Sequence, residues 1–342
     1  GGFKLLGGFV DEAAKYQTIT EKFKQYGMGD AALKEAEKFS AAQKVFGVSN
    51  TEMLANFTEV QGVYRESGRH GLKDQLYAAK IISPLMAQLD FASQALDEHQ
   101  RAATTAKKMD MVRFLETAGA TKSPERAKEL INGAFKAIQA SGGNIDFTQY
   151  RQFMAKAKTS AYGMSDTAIF AEMEPIIGEM KGSSAGDAYM TAYNRAHGIL
   201  TPTHQAAKEW LKLGLWNPKN VSFNSQGRLN ISGDPLIDKK TFEHSQVEFY
   251  MNDVLPKYRA LHYTEEQIRR TNAILFGRTG GGMYNLIDKQ LPMILSGMQA
   301  YPGFRGVDDA TKSLKTRITA KLLISMPSGK ILSWRWAKMV GC

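Results

Sequence analysis

The residues in this chain that could do chemistry are few, and their spacing decides what each could support. The run Ser141-Gly142-Gly143-Asn144-Ile145-Asp146-Phe147 has the Ile-Asp-Phe ending of a calcium loop. With Ile145 set at the eighth loop position, Gln149 falls where a bidentate Glu is required, and Ile138, Ala140 and Gly142 fall where oxygen ligands are required. A Gly-terminated helix followed by another amphipathic helix is expected there instead. Gly277-Arg278-Thr279-Gly280-Gly281-Gly282 has the glycines of a phosphate-cradling loop. No Lys-Ser or Lys-Thr pair follows them, and a helix-like run precedes them where a strand is needed. A turn that lets two backbones approach closely is the expected role, with helix resuming after Gly282. The stretch Gly182-Ser183-Ser184-Ala185-Gly186 fails the same test. Among six histidines only His197 and His204 lie close, and their spacing of seven straddles Pro202, off the i, i+4 face of helical zinc sites. Surface or capping roles are expected for both. The single Cys, Cys342, removes thiolate metal sites, Cys nucleophiles and any internal disulfide, and fits a reducing cytoplasm. The expectation is therefore no catalytic residue, no cofactor, no metal and no small-molecule substrate.

Two further segments invite a function. Leu295-Ser296-Gly297-Met298-Gln299 resembles the Gly-Leu-Met-Gln stretch of lytic transglycosylases, whose chemistry needs a buried acid to protonate the glycosidic oxygen. The nearest upstream acids, Asp288 and then Glu265 and Glu266, are not followed by the Ser that such enzymes place after the acid. A peptidoglycan-degrading role is the weakest reading. The run from Ile199 to Trp216 has the cadence of a helix-turn-helix, but a hairpin follows where a recognition helix should present Arg, Lys, Asn or Gln to base edges. Core packing by Trp210 and Trp216 accounts better for it.

Helix punctuation organises the rest. A first helix stops at Gly27 and Gly29, Asp30 caps a second that ends at Gly47, and Ser49 with Glu52 forms a capping box for a third. One long helix, kinked or restarted at Pro84, is expected from Leu72 to about Lys108. The polar stretch near its end marks a boundary between two lobes. Ser123 and Pro124 open a helix that Gly142 and Gly143 end, with Leu130, Ile131, Ala134, Phe135 and Ile138 as its stripe. Ser165 and Asp166 start another, placing Ile169, Phe170, Met173, Ile176 and Ile177 inward. Thr201 and Pro202 start a third, which ends at Gly214. From Val221 to Ile231 the apolar period changes to two around a turn containing Gly227, predicting a lone β-hairpin whose apolar residues dock on the helices. Thr264 and Gln267 form a second capping box. The chain reads as mainly α: a multi-helix bundle in two lobes with one small hairpin. The expected domains are an N-terminal helical lobe over 1–108, a helical domain with the hairpin over 109–300, and a terminal helix with an atypical tail over 301–342.

At 342 residues and 43% hydrophobic content the chain can bury sizeable cores. A net charge of +10 suggests contact with nucleic acid, yet Lys and Arg alternate with Glu and Asp along the first helices, as on a solvated face. A DNA-associated basic helical protein is thus the alternative function, through nonspecific contact. No run approaches the roughly 18 apolar residues that span a bilayer.

Four signatures recur in fixed order: the Gly142-Gly143 turn, the Leu213-Gly214-Leu215 helix end, the Gly227-centred hairpin, and Arg278-Thr279 within the glycine-flanked helix start. In that order they resemble the helical domain of phage and prophage tail tape measure proteins. The similarity extends from about Phe9 to Ile318, with Gly277 standing where Asn is expected before the Arg-Thr pair. The resemblance implies a non-enzymatic assembly protein that sets tail length and leaves ahead of the DNA at infection. It implies contacts with tail tube protein, tail assembly chaperones and tail tip or baseplate proteins, and self-association. It places the protein in the virion tail, and in the host cytoplasm during assembly or as a prophage product. The start without Met suggests a piece of a longer chain, and the residues after Leu322 lose helical period, acids and resemblance, as a frame-shifted or truncated tail would; a basic, aromatic membrane-surface tail is the alternative.

Overall fold

The computed structural model describes residues 2–325, with the side chains of 11–325; the expected atypical tail lies largely outside the described residues. Sixteen α-helices and one two-stranded antiparallel sheet make up the described chain, so the mainly α reading holds.

The first four helices, α1 (Gly2–Gln25), α2 (Gly29–Ala42), α3 (Asn50–Glu66) and α4 (Leu72–Ser93), pack Phe23, Leu33, Phe57, Val60, Ile82 and Met86 together. The Ser49–Glu52 capping box forms as expected. Asp30 does not cap α2: that helix already begins at Gly29, so Asp30 lies within its first turn, where a carboxylate favours the positive end of the helix dipole. α2 also stops at Ala42, short of Gly47. α4 runs through Pro84 but ends at Ser93, not near Lys108. The reason is a local competitor: Asp97 accepts a hydrogen bond from the Gln100 amide at 2.8 Å and caps a new helix, α5 (Glu98–Thr105), followed by α6 (Lys108–Thr117).

Ser123 caps α7 (Pro124–Ala140), accepting from the Arg126 amide at 3.2 Å. Its stripe is buried in full, and Asp146 caps α8 (Phe147–Ala157). Ser165 caps a π-helical turn, Ala168–Glu172, that leads into α9 (Glu174–Met180), with all five expected apolar residues inside. α10 (Gly182–Ala196) lies against α8 at glycine contacts. A Cβ on Gly182 would stand 2.0 Å from the Gln149 carbonyl oxygen, and one on Gly186 would stand 2.6 Å from that of Phe153. The glycines of 182–186 are there for this approach.

α11 (His204–Lys212) is capped by Thr203, two residues beyond the expected cap at Thr201, because the Thr203 hydroxyl accepts from the Ala206 amide at 3.1 Å. Strand β1 (Val221–Phe223) pairs with β2 (Leu229–Ile231) in the expected hairpin. It docks through Leu229, while Phe223 stays 39% exposed with its ring 5.3 Å from that of His204, so only part of its apolar set is buried. Short helices α12 (Lys239–His244), α13 (Gln246–Phe249) and α14 (Leu255–Ala260) follow, with a π turn at Tyr250–Val254. α15 (Glu265–Ala300) opens on the Thr264–Gln267 capping box, and α16 (Val307–Ser325) folds back against α4. One contiguous buried apolar cluster runs from Phe23 to Ala310 and crosses residue 108 without a break.

Candidate functional site

The sequence signatures occupy helix ends. Gly142 (φ 62°) and Gly143 (φ 87°) close α7, the Gly143 amide reaching the Ile138 carbonyl at 2.9 Å and that of Gly142 reaching Gln139 at 3.1 Å. A Cβ on Gly143 would press to 2.8 Å of the His99 ring. Gly214 (φ 67°) ends α11 in the same manner, and Gly227 (φ 76°) turns the hairpin. Arg278 and Thr279 are exposed on the first turn after Gly277, whose φ of 78° and ψ of 178° break α15 in two. Helix therefore resumes at Arg278, not after Gly282, because Gly277 alone makes the break. The close approach is real: a Cβ on Gly281 would lie 2.6 Å from the Ala273 Cα, and one on Gly280 would lie 3.2 Å from the Ala192 amide nitrogen.

A buried polar network holds this break. Trp210 and Trp216 stack at 5.4 Å, confirming their core role, and the Trp210 indole N–H donates to the Leu275 carbonyl at 3.2 Å. Tyr258 donates to Asn272 at 2.8 Å, Asn272 donates to Tyr250 at 3.2 Å, and Tyr250 donates to Asp288 at 2.8 Å. Tyr284 donates to Gln246 at 2.9 Å. Burial raises the pKa of Tyr250, Tyr258 and Tyr284, which keeps their hydroxyls as donors. Asp288, an acid near the transglycosylase-like segment, is thereby occupied as an acceptor. Glu265 and Glu266 lie in the first turn of α15.

Of the surface or capping role expected for His197, the structure has the second: it is buried and forms the C-cap of α10 (Gly182–Ala196). Its Nδ1 meets the Asp234 carboxylate at 2.8 Å, and its ring forms a cluster with those of Tyr193 and Phe242. His204 is at the start of α11 beside the hairpin, so the two histidines do not converge on a ligand.

One groove does bring singled-out segments together. It has a volume of about 570 Å³ and is lined by Ser141 and Asn144 from the Gly-Gly turn, Glu174 and Glu179 from α9, and Ser296 and Gly297 from the transglycosylase-like segment. Burial pushes the Glu174 carboxyl up to about 7, so it holds a proton over much of the neutral range. Sequence spacing missed Glu174 because it lies far upstream of Ser296; its only local mark is its place before Pro175 at the start of a helix. Glycoside cleavage needs two carboxyl groups flanking the bond. Here both rise from α9, Glu179 is already hydrogen-bonded by Gln290, and the facing wall offers Gln290 and Ser296. The groove supplies an acid without an opposed base.

Comparison with known proteins found no matching family model, curated protein or solved structure. Among the described residues, no helix is long and apolar enough to cross a membrane, and no cluster of His, Cys, Asp and Glu suits a metal ion.

Proposed function

We propose that this chain is a structural and assembly protein of a phage tail, of the tape measure type, acting without catalysis. The observation that carries this reading is the fixed order of its four signatures, from Gly142-Gly143 through Gly214 and Gly227 to Arg278-Thr279. Each falls at a helix end, a hairpin turn or a helix restart, as punctuation of one helical array. The partners follow from that reading: tail tube protein, assembly chaperones and tail tip or baseplate proteins, met through helix faces in the host cytoplasm and then in the virion tail.

The described chain serves as a packed portion of such a protein and not as its ruler. A single helix of 342 residues would reach roughly 500 Å at about 1.5 Å per residue. The longest helix, α15, has 36 residues and is broken at Gly277. Reading the DNA that flanks the coding sequence tests the proposal. Tube, chaperone and baseplate genes alongside it are expected, and a gene standing among unrelated metabolic genes would count against it.

A further inference from the structure

We propose that the groove between the end of α4, α5, the start of α6 and the α4-facing edge of α16 binds the phosphodiester backbone of nucleic acid without regard to base sequence. The groove has a volume of about 640 Å³, and among the described residues Arg101, Lys108, Arg317 and Lys321 line it against a single carboxylate, Asp90. That carboxylate is already paired with Lys108. The Arg101 guanidinium reaches only the carbonyls of Gln94 and Leu96, both at 3.4 Å, which leaves its charge uncompensated. Among the described residues no carboxylate pairs with Arg317 or Lys321; the ion pair that α16 makes, Asp308 with Lys128, is at its opposite end. Holding Arg101, Arg317 and Lys321, the three cations unpaired among the described residues, around one concavity costs self-repulsion, which a bound polyanion relieves.

Shape and spacing select the ligand. Arg317 and Lys321 stand one turn apart on α16, about 6 Å along its axis. Successive phosphates of one duplex strand advance about 3.4 Å along the duplex axis, so the pair spans roughly two of them. A concave site suits a protruding backbone ridge better than a flat lipid surface. Among the described residues no aromatic side chain lines the groove, so they offer no platform for stacking bases, and recognition stays with the phosphates. Glu52 and Glu59 line the adjoining hollow beyond the Asp90–Lys108 pair and hold the strand to the α16 side. The site rests on these side chains alone and stands or falls separately from the tail-assembly reading.

The experiment is fluorescence anisotropy of a labelled duplex of about twenty base pairs, titrated with the full chain between roughly 50 and 200 mM salt. The double variant Arg317→Gln/Lys321→Gln alters two exposed side chains and removes two charges from the groove. Lys239→Gln/Lys240→Gln removes two exposed charges elsewhere and matches the change in net charge. Loss of two phosphate contacts should lower the slope of log K against log salt by about 1.8 and weaken binding roughly 60-fold at about 0.1 M salt. The control pair should leave the slope unchanged. Arg101→Gln, on the opposite wall, should lower it by about 0.9, which keeps the test alive if circular dichroism shows that the double variant has lost helix. Equal losses in the groove and control variants would reduce the effect to net charge and overturn the proposal. So would absence of wild-type binding at the lowest salt, or binding to phosphatidylserine vesicles with the same residue dependence and none to DNA.

Discussion

Glu172 offers a stability prediction whose size can be worked from its surroundings. The side chain is fully buried, its Oε1 accepts from the Ser245 hydroxyl, and its Oε2 has no hydrogen-bond partner. Burial, opposed by the Ser245 hydrogen bond and reinforced by the Glu248 charge, pushes its carboxyl from 4.5 up to about 7. The folded chain therefore holds this proton more tightly than the unfolded chain. The resulting stability is fully present below about 4.5 and is lost as pH rises through about 7. At 1.36 kcal/mol per pH unit the full effect is about 3 kcal/mol, most of it falling between about pH 5 and pH 8. Glu174 and Asp253, also pushed up to about 7 chiefly by burial, act in the same direction. Urea unfolding of wild type and Glu172→Gln at those two pH values is the assay. Wild type should lose stability on going to the higher pH, and the variant should lose about 2 kcal/mol less, because an amide resembles the protonated acid at both values. The comparison of pH slopes is insensitive to any fixed packing cost of the amide. Identical pH slopes for the two proteins would refute the reasoning.

Three further outcomes follow from the geometry around the broken helix. Gly281→Ala, which places a Cβ 2.6 Å from the Ala273 Cα, should lower the urea midpoint by the equivalent of about 2 kcal/mol, while Gly282→Ala, with nothing within 4 Å, should raise stability by about 0.5–1 kcal/mol. Trp210→Phe removes the indole donor to the buried Leu275 carbonyl and shortens the stack on Trp216, and should cost about 2–4 kcal/mol in the same unfolding measurement.

Much of the helical order was legible because its signals are local. Ser49 with Glu52, Ser123 with Pro124, Thr264 with Gln267 and the paired glycines Gly142 and Gly143 each satisfy or end a backbone ladder within a few residues. The hairpin was legible for the same reason, since its period and turn lie within eleven residues of sequence. Local rules failed where two signals competed: Asp97 outweighed the continuing apolar stripe of α4, and Thr203 outweighed Thr201 beside Pro202. Burial of His197 depends on Asp234 and Phe242, which are distant in sequence. Neither groove was legible, because Glu174 meets Ser296, and Arg101 meets Arg317, only after the intervening helices have packed.

The central claim, a tail assembly protein of the tape measure type, is tested most directly by deleting the coding sequence in frame from its parent phage or prophage and measuring tails in negative-stain electron micrographs after induction. The account predicts that tails are missing or lose their defined length, and that supplying the whole parent gene in trans restores them. Particles with tails of unchanged number and length would contradict it.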